Sequence, residues 1–301
     1  MKGQYMRSAH RKILSAAVLW GMIPIFYHMM YSSGLSRMQT ITIRFTLAAL
    51  GYVIYLLMKD KELLRIKHWS HLRYFIGTGV CSLAAFNFCY ITCIQYAGVA
   101  VAALLLYTAP IFVMLMSMVL FHEKLTGQRL AALGLTIFGC AFVSGMFSGT
   151  NTVQPIALVW GLASGFGYAL YSIFSKFALK HYEPETITAY TTVFAALATL
   201  PLSEPTVLCK KILEPTVCLG GVGAALLCTI LSYLLYTSGL SKTSASTAAI
   251  LSTLEPVTAA ILGALLLHES VSIEKICGIF LVLSAIIALN TPQRIKHGEI
   301  S

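Results

Sequence analysis

Thr253-Leu254-Glu255-Pro256 stands in the middle of an apolar run, 245–267, that closes in His268-Glu269. Tyr107-Thr108-Ala109-Pro110 stands at the same place in a second run, 99–121, that closes in His122-Glu123. A single shift of 146 residues maps one run onto the other, glutamates included. Both runs exceed the ~20 residues that a helix needs to cross a bilayer. The chain is read as an internal duplication in which only the second copy keeps a carboxylate at the helix centre, because Ala109 takes that place in the first.

The same shift carries Tyr90 onto Tyr236, Thr40-Ile41-Thr42 onto Thr186-Ile187-Thr188, and 125–129 onto 271–275. Trp20-Gly21 matches Trp160-Gly161 at a shift of 140, the difference falling in an intervening loop. Ten apolar runs follow one another: 13–31, 38–58, 72–95, 99–121, 128–146, 156–179, 186–202, 216–240, 245–267 and 273–291. With 57% hydrophobic and 11% charged residues, the chain is far from a soluble domain, where about a quarter of residues are charged. The predicted fold is an all-α integral membrane protein of ten transmembrane helices, because a spanning backbone must satisfy its own polar groups. The halves, 1–150 and 151–301, have five helices each. An odd number makes the second half enter from the opposite face, which gives an inverted repeat around a central cavity.

No cleavable signal is expected, since the basic stretch 1–12 leads into an apolar run without a small-residue cleavage pattern. The net charge of +10 is read as topology rather than as a nucleic-acid partner, because Lys and Arg collect in cytoplasmic loops. Placing the amino terminus inside puts sixteen Lys and Arg on the cytoplasmic side and four outside, with Arg44 left within the second run. Both termini are expected to be cytoplasmic. The eight cysteines form neither a disulfide framework nor a zinc pattern, most of them lying inside apolar runs.

Two five-helix halves, each with a Pro-bearing helix that runs on to a Glu and then a Gly-rich helix, resemble the EamA-type drug/metabolite transporter superfamily. The residues that carry the resemblance are Trp20-Gly21, Arg44-Phe45, Pro110 to Glu123 with Gly134, Trp160-Gly161, and Glu255-Pro256 to Glu269 with Gly278. It extends over residues 13–291. The resemblance implies a bacterial inner-membrane exporter or permease for amino acids or related metabolites, with its cavity between the halves. It leaves the cargo open, and monomer and homodimer alike.

Glu255 is the sharpest candidate site. A charge at a helix centre costs ~2.5–3.5 kcal/mol on insertion scales, and such groups face cavities, pair, or relay protons. A structural acid hydrogen-bonded across helices is the other reading. Arg44 enters from the outer side to a depth of roughly 9 Å, while Glu255 lies about 15 Å from the inner side of a ~30 Å core. The two are read either as an ion pair or as two poles for a zwitterion. His28 is a further titratable group, to be weighed against a hydrogen-bonded core histidine. Asn87 and its repeat-mate Tyr233, with Tyr90 and Tyr236, put polar tips at matching positions, and Tyr107 and Tyr168 add aromatic walls; ordinary packing competes at each. Pro24, Pro110 and Pro256 are expected kinks, since proline removes a backbone donor. His122-Glu123 and His268-Glu269 lack further metal ligands at useful spacing, so neither a metal nor a cofactor is expected.

No P-loop occurs, which disfavours pumping driven by ATP within this chain. The expected function is alternating-access transport of small metabolites, with protons as a candidate partner. A proton-independent facilitator or channel for small amphipathic solutes is the alternative. An enzyme would need a nucleophile–base or metal constellation, and the sequence offers only scattered His and Cys.

Overall fold

The computed structural model describes residues 2–146, 154–266 and 272–290. Over these residues the chain is helical without strands. The elements are α1 (Lys2–Gly21), α2 (Ile23–Ser32), α3 (Arg37–Lys59), α4 (Leu72–Ile76), α5 (Ala85–Leu106), α6 (Ala109–Phe121) and α7 (Gly127–Val143). The second half gives α8 (Pro155–Ala178), α9 (Pro184–Thr199), α10 (Pro205–Lys211), α11 (Pro215–Ala225), α12 (Ser232–Leu240), α13 (Ala245–Ser252), α14 (Leu254–Leu266) and α15 (Ile273–Asn290). Two π segments, Gly77–Ala84 and Leu226–Leu231, join α4 to α5 and α11 to α12.

All ten apolar runs are helical where described. Seven helical stretches are long and apolar enough to cross a membrane, and α6 and α7 are shorter apolar helices. The difference from ten has local causes. Trp69–Leu106 counts as one stretch, although Gly98 breaks it with φ +78° and ψ 173°, a conformation that glycine adopts without a Cβ clash. The run 99–121 is cut again at Tyr107-Thr108, which leaves α6 with 13 residues. The 16-residue α9 buries five threonines, which lowers its apolarity. The outward faces carry Leu50, Ile54, Val119, Phe138, Leu265 and Phe280 in exposed positions, which suits a lipid surface rather than water.

The halves interlock in matched pairs. α5 runs along α8 and α1 along α12, while α3 packs on α9 and α7 on α15. The two π segments fall at overlapping positions of the 146-residue shift. His10 Nδ1 lies 2.7 Å from Asn290 Oδ1, which brings the start of α1 and the end of α15 to one face of the bundle. In lipid, helix association depends on close approach at small residues rather than on hydrophobic burial. The α7–α15 crossing shows this: a Cβ on Gly278 would stand 2.6 Å from Gly139 O. Gly134, the glycine of α7 that the resemblance singles out, has open space around its Cβ position. A Gly278→Leu substitution should therefore lower stability by about 1–3 kcal/mol through overpacking, whereas Gly134→Ala should leave it unchanged or raise it by up to ~1 kcal/mol. Thermal unfolding of the two variants in one detergent checks the contrast.

Candidate functional site

The site lies where two crossing stretches break. α13 stops at Ser252 and α14 starts at Leu254, with Pro256, which has no N–H to give back, inside the first turn of the new helix. Hydroxyls cover the carbonyls near the break: Thr253 Oγ1 donates to Ile250 O at 2.6 Å and Ser252 Oγ to Ala249 O at 2.8 Å. The first half repeats the device, with Thr108 Oγ1 donating to Leu105 O at 2.6 Å just ahead of Pro110. Pro24 likewise lies at the start of α2, after the turn at Met22. Each of the three prolines thus begins a helix that continues an interrupted one.

Glu255 follows the second break. Its side chain is half-buried, lines a small cavity with Tyr107, Pro110, Tyr168 and Ser252, and accepts a hydrogen bond from Tyr168 Oη at 3.1 Å. Among the described residues no cation comes within ion-pair distance of it. Gly21 allows the close approach on the far side, since a Cβ there would stand 2.9 Å from Glu255 O and 2.4 Å from Thr258 Cβ. That contact gives Trp20-Gly21 a structural reason in the first helix.

A second small cavity shares Tyr168, Ser172 and Tyr236 with the first and adds Trp20, Ser82 and Tyr233 to the wall. Trp20 is the hub of its aromatic lining, with ring centroids 5.1 Å from Tyr233, 5.2 Å from Tyr236 and 6.4 Å from Tyr168. Tyr236 Oη meets Ser172 Oγ at 2.7 Å, and Tyr171 Oη meets Thr237 Oγ1 at 2.7 Å. Each cavity has room for about one water molecule, far less than the usual ligand site. This conformation is therefore a constricted one.

The structure brings Glu255, Tyr107, Tyr168, Tyr233 and Tyr236 together and sets the other sequence candidates apart. Arg44 is 4% exposed and lines neither cavity. Its Nε donates to Thr229 Oγ1 at 2.6 Å, one Nη to Tyr27 Oη at 3.2 Å, and the other to Cys228 O at 3.0 Å. A π turn alters the i→i−4 hydrogen-bond ladder, and Arg44 satisfies a carbonyl and a hydroxyl within it. No direct Arg44–Glu255 ion pair forms. Asn87 is buried and donates to Leu83 O of its own helix at 2.7 Å. Tyr90 packs with Cys93, Leu105 and Trp160 in a separate cluster. His28 is exposed on α2, away from the cavity walls.

Trp20 and Ser82 are cavity residues that sequence reasoning did not select. The doubling of Trp20-Gly21 at Trp160-Gly161 was the available signal; for Ser82 none existed, because a hydroxyl in an apolar run usually bonds its own helix.

One end of the bundle is latched. Glu123, just past α6, accepts from Ala245 N at 2.8 Å and from Ser246 Oγ at 2.5 Å, so it caps α13 from another helix. Arg129 lies 3.7 Å from the same carboxylate. Lys176 Nζ donates to Leu240 O at 2.9 Å and Thr243 O at 2.6 Å. The loop between α12 and α13 is therefore held from both sides. His268-Glu269, the repeat-mates of His122-Glu123, lie outside the described residues.

The EamA-like transporter family model matches the chain twice, over residues 9–145 and 155–291. The chain belongs to the EamA-like transporter family. An uncharacterized transporter of Archaeoglobus fulgidus is 29% identical over 209 residues, 68% of this chain and 73% of its own. The uncharacterized inner membrane transporter YicL of Salmonella typhimurium is 24% identical over 293 residues, 96% of this chain and 97% of its own. A crystal structure aligns with a TM-score of 0.75 at 19% identity, covering 94% of this chain and 96% of that one, a likeness of fold. The protein is a multi-pass membrane transporter.

Removing the Glu123 cap should weaken the latch. Glu123→Ala is expected to cost about 1–3 kcal/mol, the range for stripping partners from buried polar groups, and Ser246→Ala a smaller part of it. A double-mutant cycle on thermal unfolding should return a coupling of at least ~0.5 kcal/mol between the two.

Proposed function

We propose that the protein carries small metabolites with an amine, amino acids or related compounds, across the inner membrane by alternating access, and that Glu255 is where amine or proton binds. The observation that carries this reading is the Glu255 carboxylate itself, half-buried at a helix break and on the wall of a central cavity, with a tyrosine hydroxyl rather than a cation as its partner. An intramembrane acid in that setting has acceptor capacity left for a cationic group. Aromatic faces from Tyr107, Tyr168 and Trp20 suit both an ammonium and an apolar side chain.

The reading takes all ten helical runs as crossings and the halves 1–150 and 151–301 as inverted repeats. Matched packing between the halves and the doubled π segments support it. Carrier rather than channel is favoured by the constricted cavity and by the latch at Glu123 and Lys176, which is the closed gate of one face. That face carries the start of α1 and the end of α15, and the Lys and Arg distribution in the sequence makes it the cytoplasmic one in this reading. In a cysteine-free background, Leu213→Cys, 86% exposed between α10 and α11, should react with an impermeant maleimide in intact cells, and Lys61→Cys only after permeabilisation. The reverse pattern would invert the orientation.

If Glu255 binds substrate and proton alternately, a pH gradient of two units across proteoliposomes should drive uptake several-fold above that at equal pH. Glu255→Gln should abolish the gradient dependence and keep exchange at equal pH. A facilitator in which Glu255 only meets the amine predicts wild-type flux indifferent to the gradient and a direct loss of binding in Glu255→Gln.

A further inference from the structure

We propose that the second cavity is an acceptor-binding subsite, in which Trp20 Nε1–H and Ser82 Oγ–H hold a carboxylate or carbonyl oxygen of the same solute whose amine meets Glu255. The proposal rests on the reading of Glu255 given above.

Nine buried side-chain nitrogen and oxygen atoms have no hydrogen-bond partner among the described residues, and only Trp20 Nε1 and Ser82 Oγ belong to residues that line the central cavities. Trp20 is 5% and Ser82 0% exposed. A buried donor that no protein acceptor meets costs free energy until another acceptor reaches it. They come from different elements, α1 and the π segment Gly77–Ala84, which the fold brings to the wall of one cavity. π turns recur at functional sites.

The chemistry of the wall fixes what it would take. Three of the four tyrosine hydroxyls on this wall are engaged, Tyr236 with Ser172, Tyr171 with Thr237 and Tyr168 with Glu255, which leaves Tyr233 as a further hydroxyl beside Trp20 and Ser82. An indole nitrogen only donates, so the missing partner must accept. No charged side chain lines this cavity, so recognition there uses neutral donors. Arg44, the anion site that the sequence suggests, spends its guanidinium on Thr229, Tyr27 and Cys228 O. Because the cavities share Tyr168, Ser172 and Tyr236, a solute that enters when the constriction opens would meet Glu255 at one end and Trp20 with Ser82 at the other.

The test uses full-length protein in nanodiscs with Trp69→Phe and Trp160→Phe, which leaves Trp20 as the sole tryptophan of three. The ¹⁵N-indole resonance of Trp20 is followed while three probes are titrated: L-leucine, its decarboxylated amine 3-methylbutylamine, and its deaminated acid 4-methylpentanoate. Leucine and the acid are expected to move the indole N–H resonance saturably, and the amine to bind without moving it. Ser82→Ala should weaken leucine about five- to tenfold, the worth of one hydrogen bond, and leave the amine unchanged. If leucine and amine bind alike in both proteins, the subsite is overturned and the Glu255 reading survives. If the amine fails to bind, the Glu255 reading falls. The acid then decides the subsite alone: a saturable shift that Ser82→Ala weakens upholds it, and an unmoved resonance overturns it.

Discussion

A helix interrupted inside a membrane must find new partners for the backbone groups it releases, and this constraint organises the structure. In lipid an unsatisfied N–H or C=O costs several kcal/mol, so breaks survive only where protein or a cavity covers them. Here the breaks at Thr108 and Thr253 sit against each other's helices in the packed centre, their carbonyls met by local hydroxyls. The π segments pose the same problem in milder form. Arg44 answers it for the second, and Thr191 Oγ1, 2.6 Å from Thr78 Oγ1, ties α9 to the first.

This reframes Arg44. A lone arginine within an apolar run looks like a substrate contact, since the sequence cannot show a π turn on another helix. Its partners turn out to be one hydroxyl and one carbonyl of that turn with Tyr27. A buried cation satisfied by neutral dipoles still carries charge, and that charge belongs to the field near the cavity rather than to its wall. Glu255 differs in kind: one neutral partner, a side chain only half-buried, and a cavity at its tip.

Hydropathy made the helices legible, and the 146-residue shift made the doubling legible, because both are written in residue type and spacing. The breaks at Pro110 and Pro256 were legible for the same reason, proline being a local signal. What stayed hidden was tertiary. His28 reads as intramembrane from its run yet is exposed on α2, and Asn87 turns back on its own helix; a run of apolar residues does not say which face looks inward. Trp20 was visible only as half of a packing motif. Its place among Tyr168, Tyr233 and Tyr236 depends on α1 meeting α8 and α12, which no periodicity encodes.

Duplication supplies equal scaffolds, and the chemistry comes from where the copies differ. Ala109 and Glu255 occupy equivalent positions beside equivalent breaks, as do Tyr190 and Arg44 in α9 and α3. If the acid served packing alone, the first half shows that a methyl suffices at that place. The backbone pays the cost of its breaks twice and gains a carboxylate once, so the asymmetry is chemical rather than architectural. The latch follows the same logic from the other direction. Glu123 has a repeat-mate in Glu269, which lies outside the described residues, so the latch is described for the first copy alone. In the alternating access proposed above, release of the Glu123 latch would open one side of the constricted cavity without disturbing the helix breaks at its centre.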